Sequence, residues 1–115
     1  MIIVQLADSA GCGAFLKEYG HLLSDDEAYK KKAERLSGKV KDIIEFLVEK
    51  GFQKPTGSCD ASVTYHEACH LVHTQGISRQ PREIIRSIPG VEFKELPEST
   101  WCCGSAGIYN VVRFD

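Results

Sequence analysis

A chain of 115 residues, 43% hydrophobic and 26% charged, has the make-up of one globular domain or part of one. Its net charge of −2, with no basic run, leaves no footprint for nucleic acid, and its apolar runs fall far short of the roughly 20 residues that cross a bilayer. Five cysteines, an odd number that includes an adjacent pair, outline no disulfide framework, and Met1 leads straight into Ile2-Ile3-Val4 with no secretory signal in view; a reducing cytosol fits better than an oxidising compartment.

Ile2-Ile3-Val4-Gln5-Leu6 predicts a short buried strand that runs into Ala10-Gly11-Cys12-Gly13. Cys12 is either a small buried hydrophobe or a ligand, and its flanking glycines favour the ligand because small neighbours permit close approach. A helix is expected over Phe15–Leu23. Ser24-Asp25-Asp26-Glu27 has the form of a capping box, with Ser24 as N-cap. Tyr29, Ala33, Leu36, Val40, Ile43, Ile44, Leu47 and Val48 then recur at helical spacing, predicting one long helix or two broken at Ser37-Gly38 and closed by Gly51. Lys30-Lys31-Lys32 is its solvated face, and Cys59 follows a polar loop as an incidental thiol.

Ser62-Val63-Thr64-Tyr65-His66 predicts a second strand whose end delivers His66, Cys69, His70 and His73 into a turn. In open α/β sheets, ligands sit beyond the carboxyl ends of strands. Gln80-Pro81-Arg82 opens a further helix buried through Ile84, Ile85 and Ile88 and stopped by Pro89-Gly90. Val91–Leu96 alternates as a third strand, followed by Trp101-Cys102-Cys103-Gly104-Ser105-Ala106-Gly107 and a last helix from about Ser105. Strands alternating with helices argue for an α/β fold with a parallel sheet and flanking helices.

Thirty-two residues separate Cys69 from Cys102. Adjacent cysteines are poorly placed to bond to each other, so their thiolates can reach a shared partner. Thiolates suit iron–sulfur clusters and zinc. The chain lacks the closely spaced cysteine pairs typical of zinc knuckles and of ferredoxins. Spacing therefore leaves cluster binding, zinc, and inert or redox-active thiols all open. His66 and His70 could be ligands, but hydrogen bonding around a cluster suits them better. A cysteine nucleophile activated by His66 lacks any recognisable signature.

Tyr65-His66-Glu67-Ala68-Cys69-His70, Gln75-Gly76-Ile77, Gln80-Pro81-Arg82, Leu96-Pro97-Glu98 and Trp101–Asn110 resemble the family of glycolate oxidase (glycolate dehydrogenase) iron–sulfur subunits. Its CCG cysteine-rich domains are shared with the lactate-utilisation iron–sulfur protein and with heterodisulfide reductase. Ala10–Gly13 and Leu16–Leu23 extend the likeness. The resemblance implies an incomplete CCG domain: residues 1–60 hold the end of a first repeat with connecting helices, and residues 61–115 the first part of a second. It implies that Cys69, Cys102 and Cys103 are metal ligands and that Cys12 is a cofactor-binding residue closing the first repeat, with His66 and His70 beside them. The cofactor would be a cluster of the 4Fe-4S type. Flavin would sit on a partner dehydrogenase subunit that oxidises glycolate to glyoxylate, and a quinone or other carrier would accept the electrons. The family's ferredoxin-like region and its final cysteine are not matched, and Val111–Asp115 departs from the pattern, so the chain reads as a truncated piece with too few thiolates for a stable cluster of its own. A zinc or structural metal module, or a cofactor-free fragment, is the alternative. The expected location is cytoplasmic, at the inner membrane only through partners.

Overall fold

Residues 4–104 and 112–113 are described by a computed structural model, in which every strand is only three residues long. β1 (Gln5–Ala7) leads into α1 (Ala10–Lys17), the single turn α2 (Tyr19–Leu22) and α3 (Lys30–Ser37). The chain then returns as β2 (Val40–Asp42), parallel to β1 with Gln5 opposite Val40 and Ala7 opposite Asp42. After α4 (Ile43–Lys50) a second unit repeats the plan. β3 (Ala61–Val63) is followed by a π-helical turn (His70–Thr74), α5 (Arg79–Arg86) and β4 (Val91–Phe93), with Ala61 opposite Val91 and Val63 opposite Phe93.

The α/β class and the parallel pairing are thus present, arranged as two two-stranded sheets. Each pair is joined by helical crossovers, as parallel strands require. Helix α4 packs on α5, and α1 packs on the π-helical turn, so the two units meet through helices. Among the described residues, the buried apolar side chains are Ala7, Ala14, Ala33, Val40, Leu71 and Ile77.

Three local expectations are corrected. Val40 does not continue a helix. The break at Ser37-Gly38 is real, but Val40-Lys41-Asp42 pairs with β1, and this tertiary pairing overrides a helical period to which Val40 happens to conform. The Ser37 hydroxyl, accepting from Gly20 N–H at 2.8 Å and donating to Leu16 O at 3.3 Å, holds the end of α3 against α1 and α2. Ser24 is not an N-cap; Asp26 instead accepts from the N–H groups of Ala28 and Tyr29, both at 2.9 Å, just before α3. The capping box lies at α4, where buried Asp42 accepts from Ile44 N–H at 2.9 Å and Glu45 reaches back to Asp42 N–H at 3.4 Å. Gly51 closes that helix in a left-handed conformation, as expected. Cys12, expected at the carboxyl end of the first strand, lies in the first turn of α1. The strand expected from Ile2 is described only from Gln5, and the last helix expected from Ser105 lies outside the described residues.

Gly90 ends the α5–β4 turn with φ +82°, and a Cβ there would stand 3.0 Å from Cys59 O, part of the loop that Cys59 N–H ties to Pro89 O. Both the left-handed backbone and the contact with a fixed carbonyl oppose a side chain. Gly90→Ala should therefore cost about 2 kcal/mol or more, read as a shift of the urea midpoint at constant slope.

Candidate functional site

The turn from Glu67 to Gln75 is the hub, because two other thiol-bearing segments are fastened to it. On one side it meets the start of α1. Gln75 Nε2 donates to Ala10 O at 2.9 Å, and a Cβ on Gly11 would stand 3.6 Å from the His70 ring. A Cβ on Gly13 would press to 3.1 Å on Ala7 Cβ and 3.2 Å on Gln75 Nε2. The small residues around Cys12 thus serve close packing between β1, α1 and the turn. Gly13→Val should destabilise the chain by about 1–3 kcal/mol through overpacking, measurable by denaturant titration.

On its other side the turn holds the approach to the cysteine pair. Glu67 N–H donates to Ser99 O at 2.9 Å. His73 donates through Nε2 to Thr100 O at 2.9 Å, which fixes the proton on that nitrogen since a carbonyl can only accept. Glu98 turns the chain with a left-handed φ of 57°, and Trp101 N–H returns to Glu98 O. Cys102 and Cys103 follow, with Gly104 N–H donating to Cys102 Sγ at 3.4 Å.

Beneath the turn lies a buried charge that no sequence pattern singles out, although both its members stand in the motifs above. Glu67 is 1% exposed. Its Oε1 accepts from Ser78 Oγ at 2.5 Å and from Arg82 Nη1, forming an ion pair. Arg82 also donates to Ser78 O at 2.9 Å, Ser99 Oγ at 3.2 Å and Glu95 Oε2 at 3.0 Å, and its guanidinium lies 5.8 Å from the Tyr65 ring. Among the described residues, Glu67 Oε2 is buried with no donor. Burial pushes the Glu67 carboxyl up, but the Ser78 and Arg82 hydrogen bonds outweigh it and hold the group below the usual carboxylate range. The Glu67 hydrogen bond raises Arg82, and burial raises Tyr65.

A carboxyl whose folded pKa is lowered contributes stability that is fully present above its ordinary value of 4.5 and is lost as pH falls through the folded value. The melting temperature should therefore fall on acidification below pH 4.5. A Glu67→Gln chain should be less stable at neutral pH and show a shallower acid decline; parallel acid declines would contradict this.

Cys12, Cys69, Cys102 and Cys103 are exposed and free of disulfides, as is Cys59. His66, just before that turn, and His70, on it, are exposed too. Among the described residues, no group of three or more His, Cys, Asp or Glu side chains is gathered as a metal site. The Cys69 turn and the two segments fastened to it carry four accessible thiols, donors of the kind an iron–sulfur cluster would take, and Cys102 Sγ accepts an N–H bond. An open cleft of about 480 Å³ lies elsewhere, between the end of α4 and α5, lined by Val48, Phe52, Arg79, Glu83 and Arg86. No described helix is long and apolar enough to cross a membrane.

Residues 63–114 match the family model of the cysteine-rich CCG domain. The chain is 42% identical over 112 residues to the probable glycolate oxidase iron–sulfur subunit of Bacillus subtilis, across 96% of this chain and 25% of the relative. It is 34% identical over 110 residues to the glycolate oxidase iron–sulfur subunit of Escherichia coli, across 96% of this chain and 27% of the relative. It is 33% identical over 107 residues to lactate utilization protein A of Bacillus licheniformis, across 92% of this chain and 45% of the relative. The chain thus spans between a quarter and a half of the length of these curated relatives. No solved structure is significantly similar to it.

Proposed function

For a chain that carries a cysteine-rich CCG domain over residues 63–114, we propose the role of an iron–sulfur electron-transfer element in a 2-hydroxy-acid dehydrogenase. The observation that carries this reading is the fastening of the Cys69 turn to both the Cys12 helix and the Cys102–Cys103 segment, on a surface where all four thiols are accessible. Cys69, Cys102 and Cys103 would hold the metal, with Cys12 or a thiol from elsewhere completing the set. His66 and His70 would hydrogen-bond around the ligands. The group supplied is an iron–sulfur cluster of the 4Fe-4S type, which accepts and releases electrons one at a time. The chain's own part is to ligate it through soft thiolates, to place N–H donors such as that of Gly104 against sulfur, and to offer the N-terminal turn of α1, whose dipole favours nearby negative charge.

In this reading, a flavin-bearing partner subunit oxidises glycolate to glyoxylate, and the electrons leave through this element to a quinone or another carrier. Glycolate stands first because the B. subtilis and E. coli relatives are named for glycolate oxidase; the likeness to lactate utilization protein A supports lactate as the second reading. A division at residue 60 is supported by strand pairing that stays within each half: β1 with β2, and β3 with β4. Each half would be one part of a CCG repeat. The assembly would be cytoplasmic and reach the inner membrane only through its partners.

Anaerobic reconstitution with iron and sulfide, in competition with zinc, tests the proposal. Iron and acid-labile sulfide retained in about equal amounts, at less than one cluster per chain, are expected, since cubane clusters contain them equally and Cys69, Cys102 and Cys103 supply only three of the usual four thiolates. Retention of zinc without sulfide would replace this reading with a structural metal module.

A further inference from the structure

Resting on the cluster reading above, we infer that Arg82 is a positioning residue, whose guanidinium sets the Cys69 turn against the segment that carries Cys102 and Cys103. Glu67 lies two residues before Cys69, and Ser99 three residues before Cys102. Arg82 grips the first through Nη1 and the second through Nη2, while Nε is held by Glu95 just beyond β4. A guanidinium is a rigid plane, so gripping both segments at once fixes the distance and angle between them. The Glu67 N–H to Ser99 O bond runs in parallel, and the His73 to Thr100 O bond extends the seam toward the pair. Arg82 is itself well anchored, with a side chain only 14% exposed and a further bond to Ser78 O. Lysine would keep a charge for Glu67 but, as a compact ammonium, could not hold Ser99 and Glu95 in the same plane.

A side chain that only stabilised the fold would leave the spacing of the thiols unchanged in any variant that still folds. Two variants separate the cases. Ser99→Ala keeps the buried Glu67–Arg82 pair and removes only the grip on the far segment. Arg82→Lys keeps the charge and loses the fork. In a Cys12→Ser, Cys59→Ser background, a short bis-maleimide should cross-link Cys69 to Cys102 or Cys103, with the product located by peptide mapping. Both variants should lower that yield roughly two- to tenfold, the weight of one hydrogen bond of ordinary strength, while the far-UV circular dichroism is unchanged. The iron-reconstituted variants should also give an altered paramagnetic resonance line shape. Cross-linking of folded Ser99→Ala at the parental rate would overturn the inference, even if Arg82→Lys failed to fold. Failure of the parental chain to retain iron would remove the cluster reading alone, and the cross-linking yields would still decide the role of Arg82.

Discussion

An Arg82→Met chain is expected to lose about 3–5 kcal/mol of folding stability, because methionine fills the space but leaves a carboxylate buried without its cation. Glu67 is 1% exposed, so water cannot solvate the charge that Arg82 abandons, and among the described residues Ser78 remains its only side-chain donor. The same change frees Ser99 Oγ and Glu95, loosening α5 from the segment after β4. A small domain has only about 5–15 kcal/mol in hand. Among the described residues, three of the six buried apolar side chains are alanines, so the loss should leave a large fraction unfolded at room temperature. The double variant Glu67→Met, Arg82→Met should be more stable than Arg82→Met alone, since no orphaned charge remains. Urea titrations of the parental chain, both single variants and the double variant give the comparison. Equal stability of Arg82→Met and the double variant would show that the pair is not the buried centre of this half of the molecule.

The second large effect falls on metal retention. Cys69→Ser, Cys102→Ser and Cys103→Ser should each remove most of the reconstituted iron and sulfide, whereas Cys59→Ser should leave both unchanged. A hydroxyl is a harder, far less readily ionised donor than a thiol and does not replace thiolate on iron. All these thiols are exposed, so accessibility does not separate them; their attachment does. Cys69 lies in the fastened turn, and the pair follows the seam at Ser99 and Thr100, while Cys59 lies in the loop tied to Pro89. Loss of iron in Cys59→Ser comparable to the other three would contradict the ligand assignment.

Much of this organisation is legible in the residues themselves, and the misses have physical causes. The Cys69 turn after β3, the start of α5 around Pro81 and the stop at Gly90 all rest on local chemistry, which sequence carries directly. Val40 misleads because a three-residue strand is too short to break a helical period; what decides is its pairing with Gln5, thirty-five positions away. The choice between Ser24 and Asp42 as capping residue has the same origin. Both precede a glutamate by three residues, and only Asp42 is aimed by a strand at the start of a helix. The Glu67–Arg82 pair is hidden for a different reason. Each residue reads as an ordinary surface charge until tertiary packing buries one against the other. The available signal is weak: a glutamate directly between a β3-derived turn and a cysteine, with Ser78 and Arg82 one helical turn apart to receive it.

Whether these thiols hold a redox-active iron–sulfur group is tested most directly by paramagnetic resonance of the reconstituted chain during a reductive and then an oxidative titration. A signal of a reduced cluster that grows on reduction, disappears on reoxidation and is missing from Cys102→Ser is the predicted result. A chain that retains only zinc, or iron whose signal does not cycle and persists in Cys102→Ser, would contradict it.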